Sequence, residues 1–60
     1  MPNITVQQMP KTTEQKRELV ARITDAFVDV YKAPAETVHV WFQEVDREGY
    51  AFNGKLVADK

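Results

Sequence analysis

TTEQKRELVARITDAFVDVY, residues 12–31, decides how this chain folds. Leu19, Val20, Ile23, Ala26, Phe27, Val30 and Tyr31 recur at three- and four-residue spacing. They cover an arc of about 140°, the pattern of a single amphipathic helix. Thr12, followed three residues later by Gln15, has the form of a capping box, and Glu14 falls in the first turn, where the helix dipole favours negative charge. Proline disfavours the α region for the residue before it, so Ala33-Pro34 should end the helix near Lys32. Lys16 lies inside the apolar arc; its stem is expected on apolar surface with the ammonium in water.

Upstream, residues 3–8 alternate, with Ile4 and Val6 on one face and Asn3, Thr5 and Gln7 on the other, which predicts a half-buried strand. Met9-Pro10-Lys11 breaks it. Downstream, a second strand is expected over residues 37–45, with Val38, Val40 and Phe42 toward the helix and His39, Trp41 and Gln43 away from it. Residues 46–60 carry Gly49, a short Tyr50-Ala51-Phe52 segment and Asn53-Gly54, which read as turn, short strand and turn, with a loose end after Gly54.

Strand, long helix and strand within about 45 residues form a βαβ unit, whose two strands run parallel with a right-handed crossover. The fold class is therefore α/β, in a single domain spanning residues 1–60. Two strands and one helix cannot close a core. The sheet face carrying Thr5, Gln7, His39 and Trp41 stays open unless another chain covers it, because parallel sheets are normally covered on both faces. Without cysteine there is no disulfide framework, and His39, the single histidine, cannot build a zinc centre alone. Oligomerisation is the remaining way to stabilise so small a chain.

Eight basic and nine acidic residues, net charge −1, are scattered along the chain, so no basic stripe points to nucleic acid. No apolar run approaches a membrane span and the N-terminus lacks a signal pattern, so the expectation is a cytoplasmic protein. Glu44 and Asp46 lie two apart at a strand end and read as part of a solvated turn rather than a carboxylate dyad. No glycine-rich phosphate loop and no Ser/His/Asp set stands out.

Met1-Pro2 has a chemical reading. Inside a chain, Pro2 is a strand opener without an amide donor. If Met1 is removed, it becomes an N-terminal secondary amine. A free α-amino group has an ordinary pKa of about 7.7 to 8.0, which burial or nearby cations lower, leaving a useful uncharged fraction near neutral pH. The ring fixes the direction of the lone pair, as a general base requires.

Met-Pro at the start, Thr-x-Glu-Gln-Lys at Thr12 to Lys16, Ala33-Pro34, Val38-x-Val40 and the closing Gly49-Tyr50-Ala51-Phe52-Asn53-Gly54 stretch together resemble the short-chain tautomerases typified by 4-oxalocrotonate tautomerase. The resemblance runs from Pro2 to about Lys55. It implies a βαβ protomer with a short C-terminal hairpin, two protomers sharing a four-stranded sheet backed by two helices, and a homohexamer built as a trimer of dimers, with a plain dimer as the smaller alternative. It also implies an isomerase without cofactor or metal, in which Pro2, freed of Met1, shuttles a proton within a small anionic 2-hydroxydienoate or 2-oxo acid. By the same resemblance Lys11 stands where the family has one arginine and His39 where it has a second, both on substrate, and Tyr50 stands at an aromatic that walls the site.

Each of these positions has an ordinary reading: a solvated loop lysine at Lys11, an interface histidine at His39, core packing at Tyr50. Lysine offers a point charge in place of a bidentate fork, and an imidazole is only fractionally cationic near neutral pH. Turnover of 4-oxalocrotonate is therefore expected to be less efficient than with two arginines, and a related decarboxylation or hydration, or a binding module without chemistry, are the alternatives. Trp41, beside His39 on the open face, reads as interface more than pocket.

Overall fold

The computed structural model describes residues 1–59, so Lys60, the last residue of the expected domain, lies outside the described residues. Strand β1 (Asn3–Gln8) leads into helix α1 (Thr13–Tyr31), and strand β2 (His39–Glu44) returns beside β1. A hairpin of β3 (Ala51–Phe52) and β4 (Lys55–Leu56) completes the described chain. β1 and β2 pair in parallel, from Asn3 opposite His39 to Gln8 opposite Glu44. The helix supplies the long crossover that a parallel pair needs.

Both helix ends follow from local chemistry. Thr12 Oγ1 accepts the Gln15 backbone N–H at 3.1 Å while Gln15 Oε1 accepts the Thr12 backbone N–H at 3.3 Å, a complete capping box. At the other end Lys32 turns left-handed at φ 57°, its N–H reaching Phe27 O, and Ala33-Pro34 follows. The second strand is shorter than residues 37–45. Ala35–Thr37 instead forms a 3₁₀ turn, because Pro34 O accepts both the Thr37 N–H at 2.9 Å and the Thr37 hydroxyl at 2.7 Å. The expected loose end is also corrected. Asn53 and Gly54, both at positive φ, make the two-residue turn that closes β3 onto β4. A 3₁₀ turn over Val57–Asp59 is then held by Val57 N–H to Tyr50 O, Ala58 N–H to Arg47 O and Arg47 Nη2 to Val57 O, at 2.9, 3.0 and 3.1 Å.

The sheet alternates as its sequence predicts. Ile4, Val6, Val38, Val40 and Phe42 are half-buried, whereas Asn3, Thr5, Gln7, His39, Trp41 and Gln43 are exposed. The helix is covered along a narrower strip than its apolar arc. Lys16, Val20, Ile23, Thr24 and Phe27 are half-buried, while Leu19 and Ala26 are exposed and Val30 and Tyr31 remain 70% and 71% exposed. The cause is geometric. Two strands lie a single inter-strand spacing of about 5 Å apart, and nineteen helical residues run about 28 Å against about 20 Å for six strand residues, so the last helical turn overhangs. Among the described residues none is fully buried, and no helix is long and apolar enough to cross a membrane.

Candidate active site

Because β1 and β2 are parallel, whatever precedes them shares one end of the sheet and whatever follows them shares the other. Pro2 and His39 meet at the first end. Pro2 O accepts the His39 backbone N–H at 3.0 Å, Pro2 is half-buried and Met1 projects outward at 82% exposed. The His39 side chain lies on the open sheet face, two residues from Trp41, which is 60% exposed.

Lys11 and Tyr50 lie toward the opposite end. The Val45 N–H bonds to Gln8 O at 2.9 Å, tying off the strand pair just before β1 runs into the loop of Lys11. Beyond β2, Asp46 Oδ1 accepts the backbone N–H groups of Glu48 and Gly49 at 3.0 and 2.9 Å, and this turn delivers Tyr50. An open hollow of about 290 Å³ lies here, lined by Gln7, Gln8, Met9, Val45, Gly49 and Tyr50. Tyr50 packs at 5.7 Å, ring centre to ring centre, from Phe52. A strand length of roughly 20 Å separates this end from Pro2 and His39. Within one chain, then, Pro2 and His39 lie at one end of the sheet and Lys11 and Tyr50 toward the other, too far apart to hold one small acid together.

Lys16 and Glu44 depart from their sequence reading. Lys16 does lay its stem toward the sheet, with Nζ 5.9 Å from the centre of the Phe42 ring. The ammonium does not end in water but on Glu44 Oε2 at 2.9 Å, and the two side chains keep only 27% and 30% of their surface exposed. Glu44 is therefore no turn residue, unlike Asp46. The Lys16 hydrogen bond holds its carboxyl below the ordinary carboxylate value, against a partial desolvation that pushes the other way, and the Lys11 backbone N–H adds to the lowering. Gln8, opposite Glu44 in the ladder, adds a smaller contribution through its side chain, although its amide nitrogen is buried without a partner at good hydrogen-bond geometry. Nothing in the sequence marks this cluster, since Lys16 and Glu44 stand 28 residues apart and meet only once the helix folds back on the strands.

A second hollow, of about 210 Å³, is formed by Ala26, Phe27, Val30 and Tyr31 at the end of the helix. It is apolar apart from the Tyr31 hydroxyl, with Phe27 and Tyr31 in an edge-to-face contact at 5.4 Å, and has no charged side chain in its lining.

The βαβ unit with its closing hairpin recurs in known proteins. Residues 2–60 match the family described as Tautomerase enzyme. The chain is 36% identical over 61 residues to a probable tautomerase of Halalkalibacterium halodurans, covering 100% of both chains. It is 37% identical over 60 residues to the 2-hydroxymuconate tautomerase of Bacillus subtilis, covering 98% of this chain and 97% of that one. A crystal structure of a 4-oxalocrotonate tautomerase homologue superposes with a TM-score of 0.94 at 36% identity, covering 100% of this chain and 97% of the other. With fold, order of elements and sequence agreeing from end to end, the chain belongs to the tautomerase family and is an isomerase of the 4-oxalocrotonate tautomerase kind.

Proposed function

We propose that the protein, once Met1 is removed, isomerises a small enolised 2-oxo acid with the Pro2 amine as general base and then general acid. The amine takes the proton from the 2-hydroxyl group; the electron pair released forms the 2-oxo group, and the displaced double bond takes the proton back from Pro2 at carbon. Atoms and charge balance without an external reactant. A positioned base of this kind contributes roughly 10²- to 10⁴-fold. The observation that carries the reading is the place of Pro2, at the open end of the sheet with its carbonyl bonded to the backbone of His39. The 2-hydroxymuconate tautomerase of Bacillus subtilis, similar over nearly the whole chain, supports a dianionic substrate of the 2-hydroxymuconate type.

Two pairs of site residues at opposite ends of the sheet fit one active site if a second copy pairs edge to edge and antiparallel, so that the two sheets make one of four strands. Its Lys11 and Tyr50 then approach the first copy's Pro2 and His39. Lys11 and His39 hold the substrate's carboxylate and oxo oxygens, and Tyr50 gives an apolar wall that lowers the amine's proton affinity. Surface area supports such a partner. The chain exposes 4839 Å², where a compact monomer of 6.9 kDa exposes about 4,000 Å². The excess of about 800 Å² is what one partner buries in an ordinary stable interface. A four-stranded sheet with two helices would also cover Leu19 and Ala26, which a two-stranded sheet leaves open. Assembly of such dimers into a hexamer is the larger form proposed.

The test is the intact mass of the purified protein followed, in the same sample, by the rate of 2-hydroxymuconate ketonisation. Loss of the Met1 mass together with a rate above the buffer reaction is expected. Loss of Met1 with no rate on this or on a monoanionic enol acid contradicts the reading and moves the protein to a different reaction or to binding.

A further inference from the structure

We infer that the overhanging end of α1 is a docking surface for the C-terminal hairpin of a second copy, with Val30 and Tyr31 of one chain receiving the Tyr50 and Phe52 rings of the other. This rests on the reading above that two copies share one site.

The direction of the helix puts its end where that site is. Lys16, near the helix start, is held to Glu44 at the far end of β2 by the 2.9 Å ion pair. α1 therefore runs back toward the start of the strands, and the Ala35–Thr37 turn leads from it into His39, opposite Asn3. The overhang thus lies at the Pro2 end of the sheet. It carries the open hollow of Ala26, Phe27, Val30 and Tyr31, in which Val30 and Tyr31 are the most exposed. At about 210 Å³ the hollow is smaller than the roughly 300 to 1,000 Å³ of a small-molecule pocket, a size that suits side chains of a protein partner.

Widening the sheet to four strands covers the flank of the helix. The overhang lies past the strand ends, so its cover must come from something that also lies past them. In an antiparallel pair, what lies there is the chain that follows β1 and β2 of the second copy. Residues 9–11, after β1, offer only Met9 as an apolar side chain beside Pro10 and Lys11, and Met9 is already half-buried in its own chain. After β2 comes the hairpin, where the Tyr50 and Phe52 rings lie 5.7 Å apart and stay 48% and 49% exposed. Set against Phe27 and Tyr31, they extend an edge-to-face pair into a larger aromatic cluster. A twofold axis makes the contact twice, since each chain carries both surfaces at opposite ends. Both surfaces belong to the excess of about 800 Å² over a compact monomer. Docking also sets Tyr50 at the end of the sheet that holds the first copy's Pro2, so one contact covers the helix and seats the wall of the site.

The chain has no cysteine, so single thiols can be placed without background. Val30→Cys and Lys55→Cys, the second opposite Phe52 in the hairpin, are both at exposed positions. The two variants are unfolded, refolded together and treated with a short bismaleimide, and phenylenolpyruvate ketonisation is measured on the same samples before treatment. Expected is a covalent dimer joining one chain of each variant, in yield above that of either variant alone. Tyr31→Asp added to both should cut that yield and raise the concentration of half-dissociation about tenfold or more, as loss of a central aromatic contact does. If Tyr31→Asp fails to refold, Tyr31→Ala is read in the same way. Chains that associate without a mixed cross-link above the single-variant level overturn the docking, and a normal rate in that sample leaves the tautomerase reading intact. A mixed cross-link unaffected at Tyr31 also overturns the docking. A mixed cross-link that Tyr31→Asp removes, in protein free of Met1 but without a rate, supports the docking and overturns the catalytic reading alone.

Discussion

At Pro2, Lys11 and His39 the question is how much charge an anionic substrate meets. Arginine in place of His39 would add a permanent cation with a planar fork beside Pro2. A charge-assisted hydrogen bond contributes about 1.5 to 3 kcal/mol, so His39→Arg is expected to lower KM for a dianion by about tenfold or more. Steady-state kinetics on 2-hydroxymuconate checks this, and an unchanged KM places His39 outside the substrate's reach. Glu44 gives a stability prediction whose sign is fixed by its carboxyl, which Lys16 holds below the ordinary carboxylate value in the folded protein. A group with a depressed folded pKa stabilises the fold above its unfolded pKa, and that contribution is lost as the pH falls through the folded value. The difference in thermal midpoint between wild type and Glu44→Gln should therefore be constant near neutral pH and narrow once the pH drops below about 4.3, the ordinary glutamate value. A difference that persists unchanged at about pH 2, below the usual carboxylate range, contradicts the ion pair as its source.

At the scale of elements, the helix depends on a cap that the sequence already announced. Thr12→Ala removes the acceptor for the Gln15 N–H and should cost about 1 kcal/mol of stability, read by denaturant titration at fixed protein concentration. The Asn53-Gly54 turn is the other local device. Gly54 sits at φ +78°, where a side chain is strained even though the space beside it is open, so Gly54→Val should loosen the hairpin and lower activity through Tyr50 before it affects the βαβ unit. Elements whose signal is local were legible in the residues: the period of α1, its capping box, the alternation of β1 and β2, and the Ala33-Pro34 stop. The parallel pairing followed from a helix-length connection. Contacts formed only after folding were not legible. Pro34 O drawing Thr37 into a 3₁₀ turn, Arg47 reaching Val57 O, and Lys16 meeting Glu44 each depend on where the chain returns. The candidate site residues were named by family resemblance. Their division between two ends of the sheet is a consequence of parallel strands that only the structure made explicit.

At the scale of the whole molecule, none of the described residues is fully buried and Trp41 is exposed on the open sheet face, which is the ground for proposing that a second copy completes the core. The thermal midpoint should therefore rise with protein concentration, because association stabilises by mass action. Trp41→Glu, which places charge at the centre of that face, should shift the protein to smaller species in light scattering and lower its thermal midpoint. A fully active monomer would contradict the shared site. The central claim is that the Pro2 amine moves the proton, and the most direct measurement is the ketonisation rate of phenylenolpyruvate by protein shown by intact mass to lack Met1 and by protein shown to retain it, in which the Pro2 nitrogen is an amide without basicity. A loss of about 10²- to 10⁴-fold in kcat/KM with Met1 retained and the fold intact is predicted; equal rates in the two proteins would contradict the assignment and place the base elsewhere.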